Sequence, residues 1–196
     1  LGMTGSVPLV PASEARHKFA HNVLVLDDGR ELRFTDPRKL GGLWLVPDAD
    51  DVIGKLGPEP LDPGFTAETL GMLLAERSAP VKPILMDQGL IAGVGNIYAD
   101  EALIRARVHP LRSAKSLTGS EVSMLHAGLI EALGLAIGNL TSLGITGKPP
   151  GTREETKEYF LMSRKAGAPC RLCEDATERV VIRGRSAYFC PSCQDL

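Results

Sequence analysis

The alternation of apolar and polar residues predicts strands in the first part of this chain. Residues 23–26 form an apolar run, residues 27–29 (Asp-Asp-Gly) are a turn signal, and residues 30–34 alternate. Two such runs joined by a glycine-containing turn are typical of a β-hairpin. The apolar run at residues 43–46 predicts a further strand.

Beyond a proline-rich stretch, the apolar period becomes helical. Each proline removes a backbone donor and restricts the residue before it, so residues 57–65 are predicted to be a linker. Thr66 is a predicted helix N-cap, and Thr118-Gly-Ser-Glu121 is a capping box ahead of a longer helix. One face of that helix is predicted to pack in the core, and its members recur every three to four residues: Val122, Leu125, Leu129, Leu133, Ile137 and Leu140.

The composition is typical of a folded protein, and the charge is unevenly distributed along the chain. The chain is 43% hydrophobic, and no apolar run approaches the roughly 18 residues of a membrane span, so we expect no membrane contact and a cytoplasmic location. Residues 1–66 carry 7 basic and 10 acidic side chains, residues 67–147 carry 6 and 7, and residues 148–196 carry 9 and 7. The basic tail is weak support for a nucleic-acid partner, because nearby thiolates would account for part of it.

Two cysteine pairs carry the most specific chemistry in the chain. Cys170-x-x-Cys173 and Cys190-x-x-Cys193 are separated by sixteen residues, a spacing typical of a hairpin that holds zinc with four thiolates. Two disulfides are the alternative, but nothing resembles a secretory signal, and the chain is large enough to fold without cross-links. Four thiolates leave no open coordination position, so we predict one structural Zn²⁺ ion.

A glycine turn precedes another predicted helix. Gly93 and Gly95 permit a tight turn, and Asn96 lies where the helix begins, so backbone amides would face outward at the positive end of the helix dipole. This arrangement suits a phosphate, and an ordinary turn is the alternative. The third glycine of the dinucleotide GxGxxG motif is missing.

Three ordered segments resemble the formamidopyrimidine-DNA glycosylase and endonuclease VIII family. Residues 82–88 (Lys-Pro-Ile-Leu-Met-Asp-Gln), residues 93–101 (Gly-Val-Gly-Asn-Ile-Tyr-Ala-Asp-Glu) and His109-Pro110 resemble its helix-two-turns-helix. Residues 35–44 resemble a late strand and loop of its N-terminal β-sandwich, and the double CxxC resembles its zinc finger. The first strand and the Asp-Pro-Arg loop indicate the formamidopyrimidine branch.

The resemblance implies an α+β multidomain fold with a partial N-terminal β-sandwich, a helix-two-turns-helix helical domain and a C-terminal zinc-finger β-hairpin. We assign residues 1–56 to the C-terminal part of the sandwich domain, 57–65 to the linker, 66–165 to the helix-two-turns-helix DNA-binding domain and 166–196 to the zinc finger. Residues 147–153 are predicted to form a mobile loop, in the region where the family covers the extruded base.

The resemblance also implies an activity: removal of oxidised purines (8-oxoguanine and formamidopyrimidines) from double-stranded DNA, followed by cleavage at the abasic site, by a protein that is monomeric at full length. Such an enzyme takes the damaged nucleotide out of the base stack. The family's nucleophile is an N-terminal proline, supported by a glutamate and a lysine. All 14 prolines here are internal, and the opening residues resemble mid-strand sequence, so we expect these groups upstream of Leu1 and binding without catalysis by this chain alone. No substitute is expected, because the Leu1 amine has no carboxylate placed for proton transfer and Lys39 lies in a turn that provides little burial.

The DNA-binding residues implied by the resemblance are Met3, Arg38, Lys39, Leu40, Lys82, Asn96 and Arg185. Met3 and Arg38 match positions that fill the space left by the extruded base. Leu40 stands where the family commonly has a phenylalanine wedge, and leucine lacks the flat stacking face. The residues matching backbone contacts, which position DNA without identifying its sequence, are Lys82, Asn96 and Arg185.

Two other functions stay open on the sequence. One is a non-catalytic zinc-finger module that binds abasic or distorted DNA. The other is an adaptor for RNA or the ribosome, where helix-two-turns-helix elements also occur. Preference for a lesion-containing duplex over an intact one favours the glycosylase lineage, and preference for structured RNA favours the adaptor.

Overall fold

The computed structural model describes residues 1–2, 4–142 and 160–196. These residues form two compact units. The first contains Leu1–Val52 and the end of the longest helix from Ile137, and the second contains Ile53–Ala136 and the described residues from Phe160 onward. Met3 and the loop predicted at residues 147–153 lie outside the described residues.

The first unit is built on a three-stranded antiparallel sheet in the order β1-β3-β2. Its strands are β1 (Leu9–Pro11), β2 (Ala20–Val25) and β3 (Arg30–Thr35). The predicted hairpin is confirmed: β2 pairs with β3, and Gly29 of the connecting turn has a φ of 81° that favours glycine. A one-turn helix, α1 (Asp50–Ile53), follows along the chain.

The strand predicted at residues 43–46 is wrong. These residues lie in no regular element, and the side chains of Trp44 and Leu45 are exposed. An apolar run becomes a strand only where a neighbouring backbone satisfies its amide and carbonyl groups. Among the described residues, no strand pairs with this segment.

Four helices follow in chain order: α2 (Ala67–Leu74), α3 (Val81–Leu85), α4 (Asn96–Ala106) and α5 (Gly119–Ser142). Both predicted caps are confirmed. Thr66 Oγ1 accepts a hydrogen bond from the backbone N of Thr69 at 3.2 Å. In the capping box, the Thr118 amide donates to Glu121 Oε2 at 2.8 Å, and the Glu121 amide donates to Thr118 Oγ1 at 3.3 Å.

The core of the second unit lies between these helices. Leu125 and Leu129 of α5 are buried there with Leu70 and Leu74 of α2. The predicted stripe is wrong at Ile137, which is 51% exposed, because periodicity specifies a face of a helix and not how far along it neighbours cover that face. The Leu140 side chain lies outside the described residues.

Helix α5 is also long and apolar enough over Gly119–Asn139 to cross a membrane, judged by length and composition alone. Five of its apolar side chains are buried within the protein: Val122, Leu125, Leu129, Ala132 and Ala136. A helix that packs one face on a protein core passes the same test of length and composition.

The segment predicted as a linker packs on the second unit. The Gly57 amide donates to the Gln88 carbonyl at 2.8 Å, and the Pro58 carbonyl accepts from the Ala92 amide at 3.1 Å. Phe65, at the end of the segment, is buried in the helical core. These contacts attach the segment to the turn that leads into α4.

The C-terminal residues form a two-stranded antiparallel hairpin of β4 (Glu178–Ile182) and β5 (Arg185–Phe189). Ile182 pairs with Arg185, so the connecting loop is the dipeptide Arg183-Gly184. Both loop residues have positive φ, 47° and 76°, which is the type I′ turn that matches the twist of the flanking strands. The turn places Arg185 at the start of β5.

Candidate nucleic-acid interface

The four cysteines form the predicted zinc site. Their Sγ atoms all lie within 4.8 Å of one another, with Cys170 to Cys193 at 4.0 Å and Cys173 to Cys190 at 3.4 Å. A tetrahedral zinc with Zn–S bonds of about 2.3 Å separates its ligand sulfurs by roughly 3.8 Å, so the cluster fits the ion. All four are free cysteines, and the disulfide alternative is therefore wrong.

The sulfur cluster needs a cation. Burial and the three neighbouring sulfurs raise the pKa of the Cys193 thiol well above its ordinary value. Four thiolates this close repel one another, and a divalent ion removes that repulsion and supplies the folding energy of the finger. The Leu172 amide also lies 3.4 Å from Cys170 Sγ and donates to it.

The zinc finger is anchored to the end of helix α4. Buried Gln194 accepts from the Cys190 amide at 2.9 Å and donates to the Val108 carbonyl at 2.8 Å. The His109 ring lies edge-on to Phe189 with 4.3 Å between ring centroids. The His-Pro signal of the sequence therefore marks the place where the hairpin packs.

The glycine turn before α4 is braced by one side chain. Gln88 Oε1 accepts from the Gly93 amide at 2.8 Å, and Gln88 Nε2 donates to the Val94 carbonyl at 2.9 Å. Gly93 has a φ of 75°. Asn96 is the first residue of α4, and its buried Oδ1 has no hydrogen-bond partner among the described residues. Its contact with phosphate stays a prediction.

Lys82 is not a surface lysine. Its residue is 1% exposed, its Nζ lies 2.7 Å from Asp100 Oδ1, and it donates to the Ser186 carbonyl at 2.7 Å. Burial lowers the pKa of Lys82, and the Asp100 carboxylate opposes that effect. The ammonium thus joins helix α3 to helix α4 and strand β5, and its contact with DNA stays a prediction.

Asp100 is the hub of this buried network. Its Oδ2 lies 3.2 Å from Arg164 Nη1 and accepts from the Tyr188 amide at 3.4 Å. The Arg164 guanidinium in turn lies 4.9 Å from the centre of the Tyr188 ring. Burial raises the pKa of Asp100, and the positive charges of Lys82 and Arg164 oppose the rise.

A pocket of about 250 Å³ lies beside this network. Its lining comes from helix α3 and the turn that follows it, and from the tip of the zinc hairpin: Lys82, Pro83, Met86, Asp87, Ile182, Arg183 and Arg185. Three of these side chains are basic and one is acidic. The structure thus brings Lys82 and Arg185, which are distant in sequence, to one basic concavity.

In the first unit, Arg38, Lys39 and Leu40 are exposed together on the loop after β3. Lys39 has a φ of 52°, a left-handed conformation that is strained for a residue with a side chain. These three candidates therefore share one exposed loop. Their contacts with DNA stay predictions.

Asp36 holds the shape of that loop. It is 0% exposed, and its carboxylate accepts from the backbone amides of Arg38 at 3.2 Å, Leu40 at 2.7 Å and Gly41 at 2.8 Å. The Thr4 hydroxyl donates to it at 2.9 Å. These hydrogen bonds, that from the Gly41 amide above all, lower the pKa of Asp36 to about 2.

Sequence reasoning assigned no role to Asp36, Gln88 or Asp100. A local signal existed for Asp36, because aspartate before a turn often accepts hydrogen bonds from the following amides. For Asp100 the chain offered no such signal, since its partners come from residues far away in sequence. Only packing reveals it as a hub.

Three family models match the chain in order. The formamidopyrimidine-DNA glycosylase N-terminal domain matches residues 1–43, its H2TH domain matches residues 56–145, and the zinc finger found in FPG and IleRS matches residues 167–196. The matches follow the predicted order of parts. The exact domain boundaries stay a prediction.

Curated relatives and solved structures agree with these models. The chain is 44% identical to the formamidopyrimidine-DNA glycosylase of Roseiflexus sp. (strain RS-1), over 99% of this chain and 72% of that protein. For the protein from Herpetosiphon aurantiacus the identity is 41%, with the same coverage.

Two solved structures illustrate the likeness in fold. Lactococcus lactis Fpg in complex with abasic-site DNA has a TM-score of 0.85 at 31% identity, over 100% of this chain and 73% of that one. MutM (Fpg) from Thermus thermophilus has a TM-score of 0.81 at 38% identity, over 99% and 73%. The predicted α+β class with a helix-two-turns-helix domain and a zinc hairpin is confirmed. This chain belongs to the formamidopyrimidine-DNA glycosylase family.

Proposed function

We propose that this chain binds damaged double-stranded DNA as part of a base-excision repair glycosylase that removes oxidised purines and cleaves the resulting abasic site. One observation carries the proposal for these residues: Lys82 and Arg185 line a single basic pocket. We propose damaged double-stranded DNA as the partner, and a cytoplasmic location in association with the nucleoid.

The pocket suits a phosphate of the DNA backbone. The Arg185 guanidinium is exposed and offers several donors in a fixed plane, the geometry that matches phosphate oxygens. The Lys82 ammonium has three donors, of which Asp100 and Ser186 take two. Asn96 does not line this pocket, and at the positive end of the α4 dipole it is proposed to contact a different phosphate.

The loop held by Asp36 is the proposed wedge. Leu40 is exposed on it, between backbone amides that Asp36 fixes on either side. An apolar side chain can enter the gap that an extruded nucleotide leaves, while Arg38 and Lys39 meet the backbone or the orphaned base. Met3 is proposed to help fill the same gap, by resemblance alone.

The base-releasing step is proposed to follow the family's N-terminal-proline chemistry. A free secondary amine attacks the sugar carbon and displaces the damaged base. Opening of the sugar ring then gives a Schiff base, from which elimination of a phosphate cleaves the strand. The prolines of these 196 residues are all internal, and an amide nitrogen has no basic lone pair. We therefore propose that the chain, by itself, binds the lesion without releasing a base.

Borohydride trapping tests both the proposed binding to damaged DNA and the proposed absence of base-releasing chemistry in these residues. The 196-residue chain is mixed with a duplex containing one abasic site, and the covalent adduct is measured beside uncrosslinked binding to the same duplex. Tight binding without an adduct is expected. A trapped adduct would show that an amine within these residues forms the Schiff base, and our assignment of the chemistry would be wrong.

Competitor nucleic acids and a charge-matched variant complete the experiment. We expect the abasic duplex to be preferred over intact duplex, and Arg185→Ala to weaken binding and reduce the salt slope by about 0.9. Lys165→Ala removes the same charge from a residue outside the pocket lining and should leave the slope nearly unchanged. Preference for structured RNA would favour the adaptor function instead.

A further inference from the structure

We propose that Asp100 is a positioning residue for DNA binding: it holds the Lys82 ammonium and the strand that carries Arg185 at the wall of one pocket. The inference rests on the proposed function, because it concerns how the proposed phosphate contacts are arranged. Asp100 is itself buried, and it touches the pocket only through its partners.

Among the described residues, Asp100 is the only carboxylate that pairs with Lys82. One carboxylate oxygen lies 2.7 Å from Lys82 Nζ, and the other accepts from the Tyr188 amide of β5. Lys82 in turn donates to the carbonyl of Ser186, which follows Arg185 directly. The side chain of one residue on α4 therefore fixes both a lysine of α3 and the backbone that presents the arginine.

The charge of Asp100 determines where Lys82 can lie. A buried ammonium without a carboxylate partner is costly, so it would give up its proton or move towards water. Arg164 is also held by Asp100, at 3.2 Å, and would lose its carboxylate partner at the same time. Without Asp100 the basic groups of this region repel one another, and the hairpin loses the Lys82 link to Ser186.

Replacement of Asp100 by asparagine separates positioning from a simple charge effect. The change removes a negative charge near the proposed phosphate site, so long-range electrostatics alone predicts tighter DNA binding. Positioning predicts the opposite sign, because Lys82 and Arg185 no longer meet the phosphate together. The two explanations thus differ in direction.

Asp87→Asn is the matched control. Asp87 also lines the pocket, and its Oδ1 accepts from the Gly89 amide, a hydrogen bond that asparagine can keep. It makes no described contact with Lys82. The control variant therefore changes the same formal charge at the same pocket without removing the anchor, and tighter binding is expected from long-range electrostatics.

The experiment measures the affinity of the zinc-loaded chain for an abasic-site duplex across a series of salt concentrations. Asp100→Asn is expected to weaken binding about tenfold and to reduce the salt slope by about 0.9 per lost phosphate contact. If Asp100→Asn binds the duplex as tightly as Asp87→Asn does, the inferred positioning role of Asp100 is wrong. If the wild-type chain does not prefer the abasic duplex, the proposed function itself fails, and the inference with it.

A measurement on the wild-type chain keeps the inference testable should Asp100→Asn lose its zinc or its fold. The ¹⁵N signal of the Lys82 ammonium is recorded before and after the abasic duplex is added. The hydrogens of that ammonium are expected to be protected from exchange with water in both the free and the DNA-bound chain, because Asp100 and Ser186 hold the group throughout. Loss of protection on DNA binding would mean that Lys82 leaves Asp100 to reach DNA, and the inference would be overturned.

Discussion

Glu101 offers a sharp test of how the segment before the zinc finger is held. Its side chain is 1% exposed and accepts from the backbone amides of Leu161 at 2.9 Å and Met162 at 2.7 Å. It also forms an ion pair with Arg105, one helical turn further along α4. Glu101→Gln keeps the shape of the side chain while removing its charge.

The expected loss in the free energy of unfolding follows from these contacts. A glutamine oxygen can accept from one of the two amides, but its NH₂ group would face the other, so one charge-assisted hydrogen bond is lost, worth about 1.5–3 kcal/mol. The amide left without an acceptor costs about 1–3 kcal/mol when it stays buried. Local relaxation recovers part of this sum, and Arg105 keeps Glu131 as a partner at 3.3 Å. We expect a loss of about 2–4 kcal/mol in the free energy of unfolding.

Glu131→Gln is the matched control, because Glu131 pairs with the same Arg105 but is 59% exposed. Exposed ion pairs contribute little, so this variant should lose less than about 1 kcal/mol. The assay is urea unfolding of the zinc-loaded chain followed by far-ultraviolet circular dichroism, with equal m-values required before free energies are compared. Equal losses in the two variants would refute the argument that burial and the two amide contacts make Glu101 important.

Four further predictions concern the zinc site, the capping box and the loop of the first unit. Cys173→Ser should lose the zinc and melt the C-terminal hairpin while the helices persist, which metal analysis and amide NMR spectra would reveal. Thr118→Ala should cost about 1 kcal/mol in urea unfolding. The hydrogen bond from the Thr118 amide lowers the pKa of Glu121. The contribution of the ionised Glu121 to the free energy of unfolding is therefore complete above pH 4.5 and is lost as pH falls through the lower folded-state pKa. Glu121→Gln should flatten the dependence of the free energy of unfolding on pH. The pKa of Asp36 is about 2 in the folded state and 3.8 without its contacts, so the loop should loosen as pH falls from 3.8 to 2. Trp44 fluorescence should report this loosening in the wild-type chain only in acid, and Asp36→Asn should cause the same fluorescence change at neutral pH.

Features governed by neighbours in sequence were predictable from the residues. The hairpin of β2 and β3, the Thr66 cap and the Thr118 capping box each depend on residues within a few positions of one another. The zinc site was predictable for a related reason, since two CxxC turns each place a pair of sulfurs before any tertiary contact is made. The type I′ turn at Arg183-Gly184 was not, because arginine is not among the residues favoured at its first position.

The strand predicted at residues 43–46 and the burial predicted for Ile137 were wrong for one reason. An apolar pattern states which side chains would benefit from burial, but it does not supply the surface that buries them. Trp44 and Ile137 stay exposed in the described structure. Pairing and cover come from other parts of the fold.

The residues alone were enough to identify the family, the order of its parts, the helix caps and the metal ligands, because each depends on local spacing or on strings of residues that can be matched directly. How the candidate DNA-binding residues are held became clear only from packing. Lys82 resembled a surface phosphate ligand, yet the fold buries it between Asp100 and Ser186 and places it beside Arg185. The same holds for Asp36, whose burial orders the loop of Leu40. A buried charge takes its role from partners that folding brings together, and no periodicity in the chain encodes those partners.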